Sequence, residues 1–167
     1  MIAAVSADGF IGLGPDHRSL DWRSKADAKF FIERTKEAGV IVMGSTTYKT
    51  FRIKRAPPGR RLIVLSSKPE TISGENVEAS SESPRELITR LKREGAREVA
   101  LSGGATIYKV FLEEGLVDEV YLTIEPKFFG SGVNLLSGAI DIDLKLIEVK
   151  KLAENTILAH YSVNKKA

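Results

Sequence analysis

Short apolar runs rich in β-branched residues alternate, along most of this chain, with segments that begin and end on helix-capping residues. The runs are typical of buried strands, and the capped segments between them are typical of helices. Strands that alternate with helices form a mainly parallel central sheet covered on both faces, so the pattern predicts a three-layer α/β fold. The predicted strands cover residues 1–6, 40–43, 62–65, 99–101 and 121–124.

Three segments have clear signals for a helix N-terminus. Ser24 precedes Asp27 by three positions and Ser83 precedes Glu86 by three, which is the spacing of an N-cap and a first-turn carboxylate. Gly103-Gly104 precedes the third, apolar segment. The predicted helix ends are Gly39, Gly95 and Gly115. Two β-rich stretches, residues 144–152 and 156–163, then predict an antiparallel C-terminal hairpin.

The composition limits the class of protein. With 167 residues, 43% of them hydrophobic, the chain can bury one substantial core, and we expect a single domain over residues 1–167. The absence of cysteine and the presence of only two histidines argue against disulfides and metal sites, and favour the cytoplasm. No apolar run approaches the roughly 20 residues that span a bilayer. The 25 basic residues are dispersed among 22 acidic ones, so we expect no nucleic-acid or membrane partner.

Ligands of parallel sheets bind outside the carboxyl ends of the strands. In this chain those ends are followed by a loop over residues 8–22 and by small polar turns at residues 44–47, 66–68 and 102–104. Backbone N–H groups at Gly103-Gly104 could approach a phosphate at a helix start. A tight strand-to-helix turn needs glycine for steric reasons as well, so this feature alone leaves both interpretations open.

Asp27 is the pivotal candidate for chemistry. A carboxylate at this position of a helix caps the N-terminus and is stabilised by the helix dipole, which is sufficient reason for its presence. Phe31 lies one turn later on the same helix face. A carboxylate and an aromatic ring side by side could border a planar, nitrogen-rich ring.

The order and spacing of several segments resemble the dihydrofolate reductases, from residue 1 to about residue 130. The most specific part is the conjunction of Trp22, Asp27, Phe31 and Arg60 around two nucleotide-binding turns. The segments that resemble the family are Ala3-Ala4, the turn from Asp8 to Gly12, Phe30-Phe31, Val42-Met43-Gly44, Thr47-Tyr48, Pro58-Gly59-Arg60, Leu65-Ser66-Ser67, Gly103-Gly104, Ile107-Tyr108 and Tyr121-Leu122-Thr123.

The resemblance implies NADPH-dependent reduction of dihydrofolate, with hydride transfer to C6 and protonation at N5, in a dihydrofolate-reductase-like fold. It implies a monomer or homodimer that binds a small-molecule substrate. The implied catalytic residues are Asp27, Trp22 and Tyr108. The implied substrate-binding residues are Ala4, Asp27, Phe31, Arg60 and Thr123, with Arg60 as a fork to the glutamate carboxylate. The implied NADPH-binding residues are Ala4, Ile11, Gly44, Ser45, Thr46, Thr47, Ser66, Ser67, Lys68, Gly103, Gly104, Thr106 and Ile107.

Three departures from the family pattern leave alternatives open. Ser45 stands where the family usually has an arginine, so one cation for the cofactor phosphates is missing. Asp21 replaces the usual proline before Trp22, and the preceding loop is longer. Residues 130–136 are more similar to the pyrimidine reductases of riboflavin synthesis, which share the fold and act on a ribosylaminopyrimidine phosphate. A nucleotide-binding module without turnover is the third alternative.

Overall fold

The computed structural model describes residues 1–164. The predicted single domain extends to residue 167, and its last three residues lie outside the described part. The strands are β1 (Ile2–Ser6), β2 (Phe10–Gly12), β3 (Val40–Gly44), β4 (Arg61–Leu65), β5 (Val77–Ser80), β6 (Ala100–Leu101), β7 (Glu119–Glu125), β8 (Val133–Asn134), β9 (Leu144–Ala153) and β10 (Thr156–Val163). The helices are α1 (Lys25–Ala38), α2 (Ser45–Thr50), α3 (Pro84–Arg93) and α4 (Ala105–Glu113).

The strands form two four-stranded sheets and a short two-stranded ribbon. One sheet has the order β5-β4-β3-β6, and all of its pairs are parallel. The other has the order β1-β7-β10-β9, in which β1 and β7 are parallel and the C-terminal hairpin is antiparallel. The ribbon pairs β2 with β8. The α/β fold and the antiparallel hairpin are thus confirmed, although the strands of the predicted single central sheet belong to two separate sheets.

One hydrophobic core joins the two sheets. It contains Met1 and Ala3, at the start of the chain and on β1 of the mixed sheet, together with Val42 and Ile63 of the parallel sheet. Helices α3 and α4 pack against this core through Leu87, Leu91, Phe111 and Leu112. The opposite face of the parallel sheet packs on α2 through a smaller cluster of Ile41, Met43, Tyr48, Leu62 and Val64. Successive side chains of β3 and β4 point to opposite faces of the sheet and belong to different clusters. Both faces of the parallel sheet are therefore covered by helices.

The predicted helix caps are present. The Ser24 side chain accepts a hydrogen bond from the Asp27 backbone N–H at the start of α1, and Gly39 ends that helix in the left-handed conformation. Ser83 and Glu86 form a reciprocal capping box at α3. The capping residues therefore correctly predicted where α1 and α3 begin.

Three strands were not predicted: β2, β5 and β8. The loop expected over residues 8–22 contains β2, whose three residues pair with β8. β5 lies at the edge of the parallel sheet and is only partly buried. Separately, none of the helices in residues 1–164 is long and apolar enough to cross a membrane.

Candidate active site

A cavity of about 800 Å³ lies at the carboxyl ends of the parallel strands. It is lined at one end by the turns that follow β3, β4 and β6, and at the other by β1, β2 and the first turns of α1. Most of the predicted site residues line it. These are Ala4, Ile11, Asp27, Phe31, Gly44, Ser45, Thr46, Thr47, Ser66, Ser67, Gly103, Gly104, Thr106, Ile107 and Tyr108.

Glycines at one end allow two strand-to-helix turns to approach each other closely. The Gly44 backbone N–H donates to the Gly103 carbonyl oxygen over 2.8 Å. A Cβ atom added to Gly44 would lie 2.8 Å from Ile107 Cγ1, and one added to Gly104 would lie 2.9 Å from Thr47 Oγ1. Gly103 and Gly104 are joined by a cis peptide bond. The result is a narrow polar cradle with no room for larger side chains.

Polar groups in this cradle are available to a ligand. The N-cap of α4 is Gly104, which has no side chain to accept the first N–H groups of this helix, so these groups can bind an anion. The buried Ser102 hydroxyl lines the cavity and has no hydrogen-bond partner among residues 1–164. With the hydroxyls of Ser45, Thr46, Ser66 and Ser67, the donor set fits the phosphates and amide of a dinucleotide cofactor.

Asp27 lies at the other end and is 3% exposed. Its backbone position is fixed by the Ser24 cap, and the Ser24 N–H donates to the buried Glu125 carboxylate over 2.8 Å. Burial raises the pKa of Asp27, while the nearby Thr123 hydroxyl and the Arg23 guanidinium lower it and Glu125 raises it further. The net shift is upward, so the site holds a carboxyl group that accepts protons more readily than one in water.

Tyr108 and Phe31 border the same end. The Tyr108 hydroxyl is buried and donates to the Ile2 carbonyl oxygen over 2.6 Å. Burial, and secondarily the charge of Asp27, raise the pKa of Tyr108, so its phenol stays protonated. Together with Ala4 and Ile11, these rings make a largely apolar slot with one carboxyl group in its wall.

Four predicted residues do not line the cavity: Trp22, Arg60, Lys68 and Thr123. Thr123 is buried, and its hydroxyl has no hydrogen-bond partner among residues 1–164, although its proximity lowers the pKa of Asp27. The Trp22 ring is buried and packs edge-on against Phe129, at 5.1 Å between centroids. The Arg60 guanidinium donates to the Thr35 hydroxyl over 2.8 Å, and neither residue is among those that line the cavity. The predicted roles of Arg60 and Lys68 therefore lack support from this geometry.

Three charged or titratable residues that were not among the predicted site residues do line the cavity: Arg23, His17 and Glu82. The Arg23 guanidinium forms an ion pair with Asp27. The His17 Nδ1 accepts the Leu13 N–H, and the ring packs against Phe129 at 5.7 Å between centroids. The Arg90 guanidinium pairs with Glu82 and holds the pKa of that carboxyl below its usual range. For Arg23, the spacing of four residues to Asp27 was an available signal.

The family model described as dihydrofolate reductase matches residues 1–133 of this sequence. The chain belongs to the dihydrofolate reductase family. It is 32% identical to dihydrofolate reductase type 15 of Escherichia coli over 130 residues, which are 76% of each chain. The predicted family resemblance is thereby confirmed, and so is an NADP-dependent oxidoreductase of the dihydrofolate reductase type.

Solved structures with the same fold come from two kinds of reductase. A pyrimidine reductase-like protein of Corynebacterium diphtheriae has a TM-score of 0.80 and 18% identity, over 99% of this chain and 91% of that chain. The dihydrofolate reductase of Enterococcus faecalis, solved with NADP(H), has a TM-score of 0.76 and 22% identity, over 98% and 95%. At these identities the likeness concerns the fold, which both kinds of enzyme share.

Proposed function

We propose that this protein reduces 7,8-dihydrofolate to tetrahydrofolate with NADPH. The observation that supports this most is the buried Asp27 carboxyl in the wall of a slot that continues into the glycine cradle. A carboxylate can accept two parallel hydrogen bonds from the amino and N3 groups of a pterin, which orients the ring. Phe31 and the apolar wall exclude water from the ring faces.

NADPH would supply a hydride to C6 of the substrate. The cradle residues around Gly103 and Gly104 would hold the cofactor. Ser45, Ser66 and Ser67 would contact its phosphates with hydroxyl groups. Arg23 is the only arginine or lysine among the described cavity-lining residues, and it lies at the opposite end, beside Asp27. No lysine or arginine of the described lining is therefore near the cradle to select the extra phosphate of NADPH, and the assays below compare NADPH with NADH.

The decisive experiment replaces Asp27 by asparagine. We expect Asp27→Asn to lower kcat/KM for dihydrofolate by about 100-fold or more, because the variant loses a charged acceptor at the ring and a titratable group. The matched control is Glu33→Gln, which removes an exposed carboxylate from the same helix. Circular dichroism checks the fold of both variants. Full activity in Asp27→Asn would refute the proposal.

A second candidate is reduction of a ribosylaminopyrimidine phosphate. It is favoured by Arg60, the expected partner of the glutamate of dihydrofolate, which is not among the cavity-lining residues and donates to the Thr35 hydroxyl. Assays with each substrate, each with NADPH and with NADH, separate the two candidates. Binding of the dinucleotide with no oxidation by either substrate would instead indicate a nucleotide-binding module.

A further inference from the structure

The ring-binding end of the cavity contains a buried ion pair instead of a lone carboxylate. Arg23 Nη1 lies 3.1 Å from Asp27 Oδ2, and the Arg23 side chain is 14% exposed. The guanidinium carbon also lies 5.4 Å from the centroid of the Phe31 ring. Arg23, Asp27 and Phe31 all line the cavity. The guanidinium is thus held on two sides, and one oxygen of the carboxylate already has a partner.

This pairing changes what the carboxylate can bind. A ring with an amidine edge, such as a protonated aminopyrimidine, needs both carboxylate oxygens for a fork of parallel N–H bonds. Arg23 takes up one acceptor site of one of these oxygens, which crowds the fork without preventing it, because each oxygen has a second lone pair. Its positive charge also opposes any cation brought next to Asp27, and it does so strongly because the site is buried. A neutral ring meets only the first of these obstacles.

The other groups that face Asp27 do not reverse this effect. Thr123 and Tyr108 are uncharged hydroxyl groups, and the Tyr108 hydroxyl is engaged with Ile2. Glu125 on β7 is a second buried carboxylate, and its oxygens accept hydrogen bonds from Ser24 N–H and the Thr156 hydroxyl. The charge of Glu125 acts on Asp27 and offsets part of the repulsion between Arg23 and a cation. Glu125 does not line the cavity, however, whereas Arg23 does and lies closer to a bound ring.

We propose that Arg23 is a specificity-determining residue, which disfavours cationic ring ligands at Asp27 and leaves the site selective for neutral ring edges. The proposal rests on the proposed role of Asp27 as the ring-binding group. It goes beyond that role, since it assigns the selection to a neighbouring side chain. One consequence is weak binding of 2,4-diaminopyrimidine inhibitors, which bind carboxylates as cations.

The test measures two small ring ligands by NMR titration of the full chain at pH 7. One is 2,4-diaminopyrimidine, which binds as a cation, and the other is 2-aminopyrimidin-4-one, a neutral ring of the same size. The quantity compared is the ratio of their dissociation constants. In Arg23→Gln we expect the ratio to shift towards the cation by roughly tenfold or more, because one unit of positive charge has left a buried site. Arg23→Lys keeps the charge and should keep the ratio of the unmodified protein.

Arg34→Gln is the matched control. Arg34 lies on α1 and, like Arg23, is a mostly buried arginine, 16% exposed, with an ion pair to Glu98 and a ring contact to Tyr121 at 5.0 Å, yet it does not line the cavity. Its substitution should leave the ratio unchanged. The proposal is overturned if Arg23→Gln leaves the ratio unchanged or moves it towards the neutral ring, if Arg34→Gln produces the same shift, or if neither ring binds.

These outcomes are independent of turnover. A protein that oxidises NADPH with neither substrate, but shows the shift in Arg23→Gln, would refute the proposed reaction and support the selection by Arg23. An active reductase without the shift would do the reverse.

Discussion

Gly132 occupies a position where a single added carbon should be costly. Its φ of 151° is rarely adopted by other residues, and an added Cβ would overlap the Gly12 carbonyl oxygen where the chain before β8 meets β2. We therefore expect Gly132→Ala to lower the free energy of unfolding by about 1–3 kcal/mol, measured by urea denaturation. Gly14→Ala is the control, because a Cβ there has no atom within 4 Å. Equal effects of the two substitutions would contradict this explanation.

At the same scale, the sequence predicted residues whose role follows from local backbone position. Spacing placed Asp27 and Phe31 on one helix face and Gly103 and Gly104 in a turn at a strand end, with a purely structural interpretation left open. Their assignment to a ligand site came from the family resemblance. Arg23 was missed although its spacing of four residues to Asp27 was an available signal. His17 was missed because its place depends on the path of the loop between β2 and Trp22. Arg60 shows the opposite error. Its place in the sequence matches the family pattern, yet its side chain bonds to Thr35 and is not among the cavity-lining residues.

At the scale of elements, the N-caps of α1 and α3 allow stability and activity to be separated. Ser24→Ala and Ser83→Ala each remove a side chain that accepts a first-turn N–H. Each substitution should cost about 1 kcal/mol of unfolding free energy, measured by urea denaturation. Only Ser24→Ala should also lower kcat/KM, because the N–H that Ser24 caps belongs to Asp27. Equal loss of activity in both variants would show that the effect comes from general destabilisation.

The elements also show why part of the fold escaped prediction. β3 and β4 are continuous buried apolar runs, so composition alone indicates them. β2, β5 and β8 have two to four residues and little apolar pattern, and their extended conformation depends on the strand beside them. The division of the strands into two four-stranded sheets was missed for the same reason, since β6, at the edge of the parallel sheet, has only two residues. Pairing between distant segments is not encoded in local periodicity.

For the molecule as a whole, the pKa of Asp27 links the site to stability. An unfolded chain would titrate this carboxyl near 3.8, and the folded protein raises its pKa. Between those two values the folded state binds more protons than the unfolded state, so the free energy of unfolding falls as pH rises through this window. Above this window the raised pKa makes the Asp27 carboxyl a cost to stability, at a buried position where it is proposed to serve binding.

Asp27→Asn removes this titration and also the carboxylate partner of the mostly buried Arg23, which adds a cost that does not follow the titration of Asp27. The unmodified protein should therefore lose stability relative to the variant as pH rises from 3.8 through the raised pKa. Asp8→Asn provides a control of opposite sign. A hydrogen bond from the Ser6 hydroxyl, together with those from the Gly130 and Phe129 N–H groups, holds the pKa of Asp8 below its usual value. That carboxylate therefore stabilises the fold at neutral pH, and its contribution is lost as pH falls through its lowered pKa. Urea denaturation from about pH 2 to pH 7 measures both series. Parallel pH dependences of the two variants would mean that burial of Asp27 does not govern its ionisation.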